Sequence, residues 1–257
     1  MNRSRIPFWT TIAVLIFFYL PMFMLVIASF NESRFGGTWT GFSLKWYQRL
    51  WKEQALWQAL RNSLIIGISA TVVSTVLGTL AAFVLHQYRT RLQKLHYGLI
   101  YIPLVIPDIL MGISLLLFFV SLYFPLSLWT IFIAHTTFCI SYVTILILAR
   151  LQNFDYAIVE AAQDLGANWW TVFWRVILPL LTPGIIAGAL LAFTLSIDDF
   201  VITFFVAGPG STTLPLYVYS MIKFGSTPII NALSVVLLSV TFSIVWLTQY
   251  LSEGKMS

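Results

Sequence analysis

The chain reads as long apolar runs separated by short polar ones. No Lys, Arg, Asp or Glu occurs between Ile6 and Asn31, or between Asn62 and Tyr88. From Leu95 to Ala149 the one charged residue is Asp108. A helix needs about 20 apolar residues to cross the hydrocarbon core, so this last run is too long for a single crossing. Pro125, between Ser121 and Ser127, marks the turn that divides it. The pattern predicts spans at 6–31, 62–88, 97–120, 128–149, 183–207 and 229–251, with Asp198 and Asp199 inside the fifth. The runs are long and do not alternate polar with apolar, so they are helices and not barrel strands. The expected fold is an all-α integral membrane protein with six transmembrane helices. Arg3 and Arg5 give the first run the positive flank of a signal peptide. The run is longer than a signal h-region and no A-x-A site follows it, so a retained helix is expected.

Composition narrows the class. Of 257 residues, 59% are hydrophobic and 9% charged; a typical soluble domain carries about 25% charged residues. A soluble enzyme, a disordered chain and a nucleic-acid binder are thereby excluded. Net charge is +5, but the 14 basic residues form no stripe. They suit loops beside an anionic membrane surface. The single cysteine, Cys139, allows neither a disulfide framework nor a Cys-based metal site. Arg3, Arg5, Arg89, Arg91, Lys94, Arg150, Arg175 and Lys255 fall on one side of the predicted spans. Arg34, Lys45, Arg49, Lys52, Arg61 and Lys223 fall on the other. The short basic 86–96 loop decides the orientation, because long loops count for less. Both termini are expected in the cytoplasm.

The 151–182 segment, between the fourth and fifth spans, is too polar to cross a bilayer. Asp155 suits an N-cap and Gly166 a left-handed stop. Asn168 suits the cap of a second short helix, and Pro179 and Pro183 are expected to stop continuation into the membrane. The product is a helix–Gly–helix knuckle spanning about 155–175. Ala161 and Ala162 are small enough to admit another surface. Glu160 and Asp164 lie one turn apart, which invites basic groups from outside the chain. The other reading is an interfacial amphipathic helix with a solvated acidic face.

Glu160-Ala161-Ala162, Gly166 and Leu178-Pro179 resemble the EAA loop of ABC importer permeases. Val176 stands where that family usually has Ile. The resemblance implies a type-I importer permease whose Glu160, Ala161, Ala162, Asp164 and Gly166 contact a cytoplasmic ATPase. The chain has no G-x-x-x-x-G-K-[ST] loop, so ATP and Mg belong to that partner. No cofactor, metal or catalytic residue is expected in this chain.

A narrower resemblance covers nearly the whole length. Ser29-Phe30-Asn31, Lys45-Trp46-Tyr47, Pro107-Asp108, His135-Thr136-Thr137-Phe138-Cys139, Thr194-Leu195-Ser196-Ile197-Asp198-Asp199, Thr213-Leu214-Pro215-Leu216 and Asn231-Ala232-Leu233 are similar to the second permease subunit of spermidine/putrescine importers, the PotC type.

Asp108, Asp198 and Asp199 lie within predicted spans that contain no Lys or Arg. A charge at mid-bilayer costs roughly 2.5–3.5 kcal/mol on insertion scales. The available resolutions are a proton, a metal ion, a partner-subunit Arg or a cationic substrate. A metal suits the sequence least, for want of a tight carboxylate/His cluster. Widely spaced carboxylates suit a polyamine, whose ammonium groups are separated by methylene runs. By count, Asp108 is expected near the middle of span three, and the aspartate pair in the outer third of span five. Neighbouring helical residues point about 100° apart, with Ser196 and Asp199 on one face and Thr194 and Asp198 on another. Either the helix is unwound there, or one aspartate alone lines the pathway. Pro107 either frees a carbonyl for an ammonium group or simply kinks the helix.

Trp46 and Tyr47 have two readings: interfacial belt or faces for an ammonium ion. His135 is either a proton relay or, more in keeping with its setting, a hydrogen bond within the bundle. Cys139 reads as packing and Asn231 as interhelical glue. Gly208-Pro209-Gly210 reads as an external turn, and 211–228 as a segment on the membrane that could touch a delivery protein.

Two regions are expected: residues 1–60, the first helix with an external amphipathic loop, and residues 61–252, the permease core with the coupling loop at about 151–182. The resemblance implies an inner-membrane polyamine permease. Its partners are a second homologous permease, two copies of an ATPase, an external binding protein and the lipid bilayer. Rival readings are an ABC permease for ferric ion, thiamine or an opine, a proton-coupled carrier, and a scaffold without a pathway. No internal inverted repeat supports the carrier.

Overall fold

The computed structural model describes residues 6–33, 38–87, 91–152, 154–155, 157–225 and 227–253. Arg3, Arg5, Arg34, Arg89 and Lys255, used above for orientation, lie outside the described residues. The first apolar run forms α1 (Ile6–Ser29). Lys45–Lys52 forms the short amphipathic α2, and α3 runs from Gln54 to Gln87. The third run holds two helices, α4 (Gln93–Val105) and α5 (Asp108–Ser121), and α6 (Leu128–Gln152) follows. The polar segment holds α7 (Ala157–Asp164) and α8 (Trp169–Val172). A π-helical stretch, Phe173–Ile177, leads into α9 (Leu178–Asp198). Then come α10 (Val201–Val206), α11 (Leu214–Lys223) and α12 (Thr227–Glu253).

Among the described residues, Pro7–Ser29, Gln54–Gln87, Leu128–Gln152 and Trp169–Asp198 are long and apolar enough to cross a membrane. Two expectations need correction. Span three is not straight: α4 and α5 meet at 113°. Ile106 (φ −71°, ψ 131°) and Pro107 (φ −56°, ψ 137°) are extended, because a residue before proline is pushed out of the α region and proline lacks an N–H to continue the ladder. Asp108 therefore heads α5. Pro179 and Pro183 do not stop the fifth helix, which continues from Trp169 to Asp198. Proline clashes with the carbonyl four residues back; for Pro179 that carbonyl belongs to Arg175, within the wider π turn that precedes α9.

The chain divides into two compact units, residues 1–57 with 218–257, and residues 58–217. In the first, α12 packs on α1 and α2. In the second, α6 is the central post. Ile131, Ala134, Cys139, Val143 and Ile147 of α6 are fully buried, as expected of a helix apolar on every side. Gly184 and Gly188 of α9 lie against Arg150 and Val143 of α6, and Gly78 of α3 lies against Val143. Small residues spaced in this way let helices approach closely. Gly112 of α5 does the same against Ile202 and Phe205 of α10.

The loop after α10 is pinned from several directions. Asn62 Nδ2 donates to the carbonyls of Gly210 (3.3 Å) and Thr212 (2.9 Å), and the Leu214 amide donates to Ser63 Oγ at 2.8 Å. Thr130 Oγ1 donates to the Val206 carbonyl at 2.7 Å. A methyl group on Gly208 would land on the Leu126 carbonyl, which is backbone and cannot rotate away. Gly208→Ala should therefore cost at least ~1–3 kcal/mol, the usual range for overpacking. The check is the thermal midpoint of the detergent-solubilised protein; an unchanged midpoint would mean that these loops do not meet as described.

Candidate functional site

The site is built around an interrupted helix. α9 stops at Asp198, Asp199 is extended (φ −66°, ψ 123°), and α10 restarts at Val201. Restarting a helix inside an apolar core exposes amides that need acceptors. The Asp199 carboxylate supplies them: Oδ1 accepts from the Ile202 amide (3.3 Å) and Oδ2 from the Thr203 amide (2.8 Å). This is N-cap chemistry. Thr203 Oγ1 adds a bond to Oδ2 at 2.7 Å, and His135 Nε2 lies 3.3 Å from the same oxygen. His135, Ser196 and Thr203 are all buried. Of the two alternatives left open above, the helix is unwound.

The two neighbouring aspartates consequently live in different surroundings. The Asp199 side chain is 9% exposed and hydrogen-bonded throughout. Asp198 is exposed, with no ion-pair or hydrogen-bond partner among the described residues. Asp108 is likewise exposed and unpartnered among them. It stands in the first turn of α5, at the positive end of the helix dipole.

Asp108, Asp198 and Asp199 line one cavity of about 280 Å³. Pro103, Phe138, Tyr142, Thr194, Leu195, Phe200, Val201 and Ile202 complete its wall. The volume is at the low end of the ~300–1,000 Å³ typical of small-molecule sites. The cavity offers two unpartnered carboxylates, a third held by hydrogen bonds, and the aromatic rings of Phe138, Tyr142 and Phe200. Carboxylates beside ring faces suit an organic cation. Tyr142 escaped the sequence reading; it lies four residues after Phe138 on α6, so helical spacing places both on one face.

The remaining candidates lie elsewhere. Ser196 is outside the cavity lining and bonds His135 Nδ1 at 2.7 Å. Trp46 belongs to the other unit and is 5% exposed. Its indole N–H donates to the Asn31 carbonyl at 2.8 Å, and Lys45 Nζ covers its ring at 5.1 Å. Asn31 in turn ties the loop through the Thr38 carbonyl and the Thr40 amide. His135 has the intrahelical-bundle bonding that its sequence setting favoured, and the Cys139 thiol donates to the Ala192 carbonyl at 3.5 Å. Among the described residues there is no group of three His, Cys, Asp or Glu that could hold a metal.

The second site is the knuckle. Asp155 Oδ1 accepts from the Ala157 amide and Asn168 Oδ1 from the Thr171 amide. Gly166 has φ +84°, with its amide bonded to the Gln163 carbonyl and the Ala167 amide to the Ala162 carbonyl. These are the paired bonds of a Schellman stop. Val159 and Val172 bury the knuckle in the core, and Phe83 of α3 packs on Trp169 and Phe173. Glu160, Ala161, Asp164 and Gly166 are exposed, whereas Ala162 packs inward against the core. Leu165, not singled out in the sequence, is 89% exposed at the tip.

Residues 74–255 match the family described as binding-protein-dependent transport system inner membrane components. The chain is 40% identical to the spermidine/putrescine transport system permease protein PotC of Escherichia coli K12 over 243 residues, covering 95% of this chain and 92% of that protein. It is 43% identical over 253 residues to the putrescine transport system permease protein PotI of the same strain, covering 95% and 90%. Its fold matches a subunit of the bacterial alginate ABC transporter, crystallised with a periplasmic protein bearing an alginate pentasaccharide. The TM-score is 0.75 at 18% identity, covering 94% of this chain and 90% of that one. That likeness concerns fold alone.

Nothing lies within 4 Å of the place where a Gly166 Cβ would sit, so a substitution there tests backbone conformation alone. Gly166→Val should lose about 1–2 kcal/mol of local stability, since L-residues resist the left-handed region. The expected readout is faster amide exchange at Ala167, with exchange across 194–206 unchanged; wild-type exchange at Ala167 would contradict the stop.

Proposed function

The chain belongs to the family of binding-protein-dependent transport system inner membrane components, and on that footing we propose that it is one of two permease subunits of an ATP-driven polyamine importer. It is a transport subunit and not an enzyme; hydrolysis belongs to a separate ATPase. The observation that carries the substrate class is the cavity where Asp108 and Asp198 stand unpartnered among the described residues beside the capped Asp199. An anion would meet the wrong sign there. A polyamine presents ammonium groups at intervals along a flexible chain, and the PotC and PotI relatives carry that substrate class in their names.

The assembly follows from the family. A second, homologous permease forms the other half of the pathway, and two copies of the ATPase, holding ATP and Mg, lie beneath. An external binding protein delivers the polyamine, as the periplasmic partner of the alginate transporter suggests. The knuckle docks on the ATPase through Glu160, Ala161, Asp164, the turn at Gly166 and the exposed Leu165, with Ala162 keeping α7 close to the core. Both termini lie in the cytoplasm, on the side of Arg91, Lys94, Arg150 and Arg175.

Coupling uses one continuous element. Trp169–Asp198 joins the knuckle to the aspartate pair in 30 residues, a lever of about 45 Å at 1.5 Å per residue. When the ATPases close, the knuckle moves and α9 carries that motion to the break at Asp199. Each acid is expensive to leave uncompensated in an apolar setting, roughly 2.5–3.5 kcal/mol on insertion scales, and an arriving ammonium group relieves that cost. Release requires that the relief stay modest.

The test is uptake of labelled spermidine and putrescine in a bacterium that lacks its own polyamine import, with this chain expressed beside its companion subunits. Asp198→Asn and Asp108→Asn should each cut ATP-dependent uptake at least about tenfold, the effect of losing one charge-assisted contact, while assembly is retained. Uptake unchanged in both variants would sink the polyamine pathway.

A further inference from the structure

Three buried polar side chains, from α6, α9 and α10, and the Asp199 carboxylate at the break form one hydrogen-bonded chain. Ser196 Oγ lies 2.7 Å from His135 Nδ1, and His135 Nε2 lies 2.9 Å from Thr203 Oγ1. Thr203 Oγ1 lies 2.7 Å from Asp199 Oδ2. The direction of donation follows from chemistry. A carboxylate accepts, so the Thr203 hydroxyl donates to Asp199. Thr203 Oγ1 is then the acceptor toward His135, so Nε2 carries the hydrogen. In the neutral imidazole Nδ1 then accepts from the Ser196 hydroxyl, and every link is satisfied in one sense, Ser196 to His135 to Thr203 to Asp199.

The chain saturates one oxygen and spares the other. Oδ2 takes the Thr203 amide and the Thr203 hydroxyl, with His135 Nε2 3.3 Å away. Oδ1 has one amide contact, at 3.3 Å, and keeps acceptor capacity while Asp199 lines the cavity. His135 itself is 1% exposed, with the Phe138 ring 5.4 Å away. It is sealed off from the cavity that its partner lines.

We propose that His135 is a positioning residue for cation passage: through Ser196 and Thr203 it immobilises Asp199, so that Oδ1 stands as a fixed acceptor beside the unpartnered Asp198 and Asp108. The role of Ser196 is then to hold the imidazole, although it never meets the cargo. This assignment rests on the cation-pathway reading above, and it gives the two neighbouring aspartates different tasks, one fixed and one free to follow the moving charge.

The experiment uses the assembled complex in lipid nanodiscs and proteoliposomes, with His135→Leu, His135→Gln, Asp199→Asn and the double variant His135→Leu/Asp199→Asn. Amide exchange across 199–206 reads the clamp without reference to any substrate, and spermidine uptake reads its use. His135→Leu fills the space without a donor; it should raise exchange at Ile202 and Thr203 and lower uptake, each about tenfold, as expected for loss of a hydrogen bond to a charged group. His135→Gln, which keeps an N–H, should recover most of both. The double variant should behave like Asp199→Asn alone, since residues of one network are non-additive. Additive effects, or equal loss in Leu and Gln, would overturn the proposal and leave His135 as packing. If the wild-type complex carries no polyamine, the substrate reading fails, and the exchange cycle by itself decides the role of His135. If His135→Leu does not assemble, the cycle of Ser196→Ala with Asp199→Asn decides it, because Ser196 reaches Asp199 only through His135: additive exchange overturns the proposal and non-additive exchange upholds it.

Discussion

A helix that is broken inside an apolar core must find new partners for the amides it frees, and no water is at hand to supply them. Here the break between α9 and α10 is repaired by Asp199, whose carboxylate takes the Ile202 and Thr203 amides. The repair has a consequence for charge. One of two adjacent acids is consumed by the backbone and by the chain of hydroxyls around His135, and the other is left unpartnered among the described residues. A second interruption, at Ile106 and Pro107, puts Asp108 at the head of α5. Asp108, Asp198 and Asp199, each beside an interruption, share one lining.

The same physics connects the cavity to the knuckle. Because the helix from Trp169 runs unbroken to Asp198, the stop at Gly166 and the break at Asp199 are the two ends of a single rod. Gly184 and Gly188 seat that rod closely on α6, and Thr130 and His135 of α6 hold α10 near its two ends. The post that guides the lever therefore also holds the fixed wall of the cavity. On the proposed function, a rearrangement entering at the knuckle would reach the acids by way of one packed helix pair.

Much of this was legible in the residues. Run lengths located Pro7–Ser29, Gln54–Gln87 and Leu128–Gln152, since crossing hydrocarbon is a matter of length and polarity; the fifth helix begins earlier than its run, at Trp169, and ends at Asp198. Asp155, Gly166 and Asn168 announced the knuckle because capping is local chemistry. What escaped depended on distant partners. Pro179 and Pro183 looked like stops, but the helix continues through both, with a π turn at the carbonyl that Pro179 would meet, and nothing in the local pattern signals such a turn. Pro107 reads as either freeing a carbonyl or kinking the helix; the local pattern gives no size for the bend, which is 113°. Trp46 had the composition of a cation site, yet its N–H and its ring face are both occupied within its own loop. Leu165 and Tyr142 drew no attention because an exposed leucine and a helical tyrosine are ordinary until the surface and the cavity around them are known.

The central claim is that the acid-lined cavity beside the break receives the cation. A cysteine in place of Thr194, which lines that cavity without being one of its acids, gives the most direct test. The native Cys139 is fully buried and should stay inert. In the assembled complex, the introduced thiol should react with a polar thiol reagent, spermidine or putrescine should slow that reaction, and Asp198→Asn should abolish the protection. Protection that survives Asp198→Asn, or a thiol that polyamine never shields, would contradict the account.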